Sequence, residues 1–122
     1  MSRERALKVV LVLVGLLFTA MICPLVLFVK QEPALAMMMS LYVTLGIFLI
    51  MAVRNPSANR SLIAFTAWSS LAHAVFMAGQ AFANLIARGE LIGSVVLVVI
   101  GIAFIALAPS GKTVEPASAA VA

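Results

Sequence analysis

The sequence predicts an all-α fold, an antiparallel bundle of four transmembrane helices with both termini cytoplasmic. Three observations carry this expectation. Four apolar stretches are each long enough to cross a bilayer, the breaks between them hold helix-terminus residues, and Lys and Arg are unequally shared between alternate breaks. Of the 122 residues, 65% are apolar and 10% charged, with a mean hydropathy of +1.22. Soluble domains run at about 45–50% apolar and about 25% charged. Because nearly every residue falls in an apolar segment, no room remains for a soluble catalytic domain, and function is expected within the bilayer or at its edges.

The predicted spans cover about residues 6–29, 34–53, 56–87 and 91–108, the apolar part of the third starting at Ser61. At a rise of about 1.5 Å per residue, each reaches roughly 27 Å or more, enough for a hydrocarbon core of about 30 Å. The first span contains Pro24, which removes a backbone donor and is expected to kink the helix. Pro33 and Pro56 suit the first turns of the second and third spans, where a missing N–H costs nothing, and Asn55 is a good N-cap before Pro56. Gly89 reads as the C-terminal stop of the third span, Glu90 suits the positive start of the fourth, and Pro109 ends the fourth. Connections this short make consecutive helices antiparallel neighbours. Gly93, Gly101 and Ala108 offer surfaces for close approach on the fourth helix.

Orientation follows from the basic residues. Arg3, Arg5, Lys8, Arg54, Arg60 and Lys112 share one side against Lys30 and Arg88 on the other, six to two, so both termini are expected to be cytoplasmic. Their scatter over segment ends accounts for the net charge of +4 as a topology signal and speaks against a nucleic-acid partner. The basic start and Ala34-Leu35-Ala36 imitate a cleavable signal, but the apolar run from Val9 to Val29 exceeds the roughly 7–15 residues of a signal core. Met21-Ile22 before Cys23 lacks the small residues of a lipoprotein acceptor. Cys23 is alone, so a disulfide, a CxxC pair or a thiolate cluster within one chain is excluded. Residues 109–122, rich in Ser, Ala and Pro, read as a disordered cytoplasmic tail.

The third span carries most of the polar side chains. At 100° per residue, Asn59, Thr66, Ser69, Ser70, His73, Met77, Gln80, Asn84 and Arg88 fall in one sector about 100° wide. Lipid cannot satisfy such groups, so the face is expected to point into the bundle, a partner or a crevice. Two readings stand: cross-helix adhesion through small and polar side chains, or a ligand or ion site. His73, 13 residues from Arg60 and 15 from Arg88, lies near the bilayer centre. Tyr42, 12 residues from Arg54, matches its depth on the neighbouring helix, so a Tyr42–His73 hydrogen bond is expected. Ser40 and Thr44 lie on the other side of the second helix.

Glu4, Glu32, Glu90 and Glu115 all fall at span ends, so no carboxylate accompanies His73. An uncharged, hydrogen-bonding imidazole is therefore expected. Small four-helix multidrug exporters are similar in size, but they use a carboxylate in the first helix, where this chain has only Thr19 and Cys23. A lone histidine falls short of the four ligands of structural zinc or the pair of a bis-histidine haem, so neither a metal nor a cofactor is expected. Ser69 and Ser70 precede His73 by one turn, yet no acid orients the ring, and no catalytic residues are assigned. Met37-Met38-Met39 spreads around its helix and reads as packing rather than copper binding.

The strings ERALKVVLVLVGLLF, MMSLYVTLGIFL and RNPSANRSLIAFTAWSSLAHAV resemble an uncharacterised family of small bacterial integral membrane proteins, catalogued as a domain of unknown function. The likeness covers roughly the first 108 residues and implies a bacterial four-helix membrane protein, expected in the inner (plasma) membrane; it brings no reaction, substrate or site residues. The leading expectation is a non-enzymatic accessory, assembly or stress-related component in contact with the lipid bilayer, as a homo-oligomer or with a membrane protein partner. The alternative is an intramembrane binding or transport module for a quinone, lipid or small amphipathic molecule, with His73, Ser69, Ser70, Thr66, Gln80, Asn84 and Tyr42 as the candidate site or polar seam.

Overall fold

The computed structural model describes residues 2–109, which fold into helices α1 (Arg3–Thr19), α2 (Ile22–Phe28), α3 (Pro33–Ala52), α4 (Arg60–Phe82) and α5 (Leu91–Leu107). Short 3-10 turns at Pro56–Asn59 and Arg88–Glu90 lead into α4 and α5. Joined across these turns and the α1–α2 break, the helices make four elements long and apolar enough to cross a membrane: Arg3–Phe28, Pro33–Ala52, Pro56–Phe82 and Arg88–Leu107. The expected tail lies, from residue 110 onward, outside the described residues.

Each terminus has a local cause. Ser2 caps α1 by accepting from the Arg5 N–H at 3.2 Å, and Glu4 sits in the first turn. Pro24 splits the first span in two. Pro24 has no N–H to donate to Ala20 O, and in a regular helix its ring would clash with that carbonyl. The chain tightens there, with Met21 N–H donating to Phe18 O and Cys23 N–H to Ala20 O, both at 3.1 Å. Pro33 opens α3, and Pro56 opens the turn into α4 behind Asn55, whose Oδ1 accepts from Ala58 N–H at 3.3 Å.

The third span ends earlier than residue 87, and Gly89 is not its stop. Helix α4 finishes at Phe82, and Asn84 takes the left-handed conformation at φ 61°. Leu85 N–H returns to Gln80 O at 2.9 Å and Asn84 N–H to Ala81 O at 3.1 Å, the paired bonds of a Schellman motif. Asn is the non-glycine residue best suited to that backbone, because its short polar side chain bonds locally. Arg88 and Gly89 belong to the turn that opens α5.

The chain packs as two hairpins. Helix α3 folds back on α1 and α2, α5 folds back on α4, and the hairpins meet chiefly through α1 against α5, with α3 touching α4 only sparsely. The α1–α3 contact is close because both sides are glycine: a Cβ built on Gly46 would lie 2.6 Å from Thr19 N and Oγ1 and 2.8 Å from Gly15 O. Gly101 plays the same part between α5 and α4, where a Cβ would sit 2.9 Å from Ala67 O. Gly93 does not, as a Cβ there meets only Met77 Sδ at 3.5 Å. At one end of the bundle, Arg3 Nη2 donates to Ala108 O at 2.9 Å, which brings the two ends of the helical region together.

Leu7, Leu11, Leu49, Ile63 and Phe104 are the large, fully buried side chains. All lie in the half of the bundle nearest that Arg3–Ala108 contact. In the other half, α2 buries no residue at all. Large apolar side chains cover the outside, Leu13, Leu41, Phe65, Trp68, Phe76 and Ile92 among them, a surface matched to hydrocarbon.

Candidate functional site

Helix α4 brings the polar sector of the sequence into three different surroundings. Its buried face runs through Ile63, Thr66, Ala67, Ser70, Ala74 and Ala81, and all but Ile63 are small side chains that let α5 approach. Thr66 is fully enclosed, and its Oγ1 donates to Leu62 O one turn back at 2.8 Å. Ser70 is just as enclosed but has no hydrogen-bond partner among the described residues. Beside this face, Ser69, His73 and Gln80 are half-buried. Ser69 Oγ donates to Thr66 O at 3.3 Å.

His73 and Tyr42 meet across the two hairpins. Tyr42 Oη and His73 Nδ1 are 2.5 Å apart, with ring centroids separated by 5.5 Å. A phenol is the stronger donor of the two, so Oη–H donates and Nδ1 accepts, which leaves the ring proton on Nε2. Phe18, 3% exposed, fixes the Tyr42 ring from α1 by edge-to-face stacking at 5.0 Å and 84°. Phe18, Tyr42 and His73 therefore form a chain from α1 through α3 to α4, where direct packing of α3 on α4 is sparse.

Other predicted members fall away from this cluster. Asn84 is exposed and lies beyond the end of α4, as does Arg88, whose guanidinium carbon rests 5.7 Å from the centroid of the Phe82 ring. Once the helix stops at Phe82, the 100° spacing no longer carries these two residues onto the seam. Ser40 and Thr44 bond their own helix, to Met37 O at 2.6 Å and Ser40 O at 3.0 Å, on an exposed face. Asn59 Nδ2 donates to Asn55 O at 2.9 Å and belongs to the turn before α4.

Two polar residues join the interior that spacing on α4 alone does not reveal. Ser94 of α5 is 5% exposed and Thr19 of α1 is partly buried, and neither hydroxyl has a partner among the described residues. Both are isolated on otherwise apolar faces, so the signal available was a small polar residue at a core register of its helix. The chemistry of the cluster is that of one phenol and one imidazole. Ser69 is spent on a backbone carbonyl, and neither it nor Ser70 bonds to the ring. Among the described residues, no three His, Cys, Asp or Glu side chains gather in one place.

Three cavities lie elsewhere. One of about 300 Å³ sits between Arg3, Glu4, Leu7, Pro56, Leu107 and Pro109. Two apolar depressions of about 260 and 280 Å³ flank α1, one against α5 and one against the end of α3.

A family model described as a family of unknown function (DUF6632) matches residues 2–120. The chain belongs to that family. The match takes in nearly the whole chain, so α1 to α5 and the Tyr42–His73 pair all fall within the family's region. No curated protein and no solved structure matches the chain.

Proposed function

We propose that the chain is a non-enzymatic component of a bacterial inner membrane, with both termini cytoplasmic, serving as an accessory, assembly or stress-related protein. The observation that carries this reading is the Tyr42–His73 hydrogen bond. The most chemically versatile side chain of the protein is engaged in tying one hairpin to the other, and Thr66 and Ser69 are engaged with backbone carbonyls. Such bonds are the ordinary adhesive of membrane helices. The orientation rests on the six-to-two share of Lys and Arg. The outward apolar surface would be filled by lipid, a second copy or a membrane protein partner.

Native mass spectrometry of the protein released from membranes, wild type against His73→Ala, tests the proposal. Any bound protein chain is expected to remain in both, with no small molecule that depends on His73. Loss of a chemical turnover on substituting His73 or Ser69, with folding and insertion intact, would overturn it.

A second reading is favoured by the unpartnered hydroxyls of Ser70 and Ser94. Buried donors of this kind suit a small amphipathic ligand, such as a quinone or lipid headgroup, admitted beside α4. A small molecule present with the wild type and lost with His73→Ala would select it.

A further inference from the structure

The bundle's charge is concentrated at one end. Around the Arg3–Ala108 contact stand Arg3, Arg5, Lys8, Arg54 and Arg60, against Glu4 as the single acid among the described residues there. Arg3 is engaged with Ala108 O. Lys8 meets Glu4 at 3.4 Å in an exposed pair one turn apart, a weak interaction that a stronger anion displaces. The Arg5 guanidinium has no partner among the described residues.

The aliphatic stems of Arg5 and Lys8 border the 280 Å³ depression, whose surface is wholly apolar, with Val9, Val12 and Leu13 from α1 and Val53 at the end of α3. Arg54 follows Val53 directly. Two cations above an apolar trough, at the depth where a spanning helix leaves the hydrocarbon, match the two halves of a lipid molecule. The other depression, between α1 and α5, begins at the same Leu13 and continues past Leu17, Val95 and Val99, so the two chains of one lipid have separate grooves on either side of Leu13.

We propose that this groove binds an anionic glycerophospholipid, its phosphate between Arg5 and Lys8 and one acyl chain along Val9, Val12, Leu13 and Val53. Charge selects this occupant. A second copy of the chain would bring its own cluster of cations to the same level and be repelled, and a choline lipid would set its ammonium group against Arg5 and Lys8. The inference rests on the chain spanning a bilayer and is independent of any role for His73.

The test uses the full chain in vesicles with a tryptophan at the groove, Leu13→Trp in a Trp68→Phe background. Its fluorescence is quenched by dibrominated phosphatidylglycerol in phosphatidylcholine vesicles or by dibrominated phosphatidylcholine in phosphatidylglycerol vesicles. Leu13 is 61% exposed, so the larger ring is accommodated outward. Wild-type Trp68, 63% exposed on α4, reports insertion and is expected to be quenched by both lipids alike. At residue 13 the anionic lipid is expected to be preferred, with about five-fold lost for each cation removed by Arg5→Gln or Lys8→Gln. Arg5→Lys, which keeps the charge, is expected to keep the preference. Equal quenching by the two lipids at residue 13, the same anionic preference at Trp68, or a preference that survives Arg5→Gln with Lys8→Gln would each overturn the proposal.

Discussion

Tyr42→Phe removes one hydroxyl while leaving the ring against Phe18, so it isolates the bond to His73. Inter-helix hydrogen bonds in membranes are worth about 0.6–2 kcal/mol, and a loss of that size is expected in the SDS-unfolding midpoint of the micellar protein. His73→Leu should cost at least as much. The double variant should be no worse than the weaker single one, because both remove the same contact; fully additive losses would mean the pair does not couple. Thr66→Val is a useful contrast. Its hydroxyl only returns to Leu62 O in its own helix, so little change is expected despite complete burial. The level of Tyr42 with His73 could be read by counting residues from Arg54 and Arg60. The idle state of the Ser70 and Ser94 hydroxyls could not, since it depends on what the neighbouring helices place opposite them.

Among the helices, glycine separates two kinds of contact. Gly46→Ala places a Cβ 2.6 Å from Thr19 backbone nitrogen, an atom that cannot swing aside, and is expected to cost about 1–3 kcal/mol by driving α1 from α3. Gly79→Ala on α4 meets nothing within 4 Å and is expected to be neutral or stabilising by up to about 1 kcal/mol. SDS unfolding of the two variants side by side checks both. The helices themselves were legible from hydropathy, and the kink from Pro24. The end of α4 was not, because Gly89 is the stronger stop signal by composition, whereas the left-handed residue is Asn84. An Asn followed by the apolar Leu85 fits the same motif, but several Asn residues in this chain occupy turns, and only the returning bonds to Gln80 and Ala81 single this one out.

At the scale of the whole molecule, the described bundle is tight near the Arg3–Ala108 contact and looser around α2, with every large, fully buried side chain among the described residues in the tight half. In the proposed orientation the half that carries the basic residues faces the cytoplasm. In a Cys23→Ser background, Gly89→Cys is expected to react with an impermeant maleimide in intact cells, and Ser57→Cys only after permeabilisation; the opposite pattern would reverse the orientation. By itself the sequence determined four apolar helices and the Pro-led turns that open α3 and α4. Each helix satisfies its own backbone hydrogen bonds, and in an apolar chain that requirement acts segment by segment, within reach of a reading along the sequence. Only the tertiary structure decided that α1 pairs closely with α3 at Gly15 and Gly46, that the hairpins meet mainly through α1 and α5, and that Phe18 presents Tyr42 to His73. Between helices that are apolar all round, burial favours no one partner over another. The choice falls to steric fit at a few small residues and to one polar bond, and both depend on how each helix is rotated against the next.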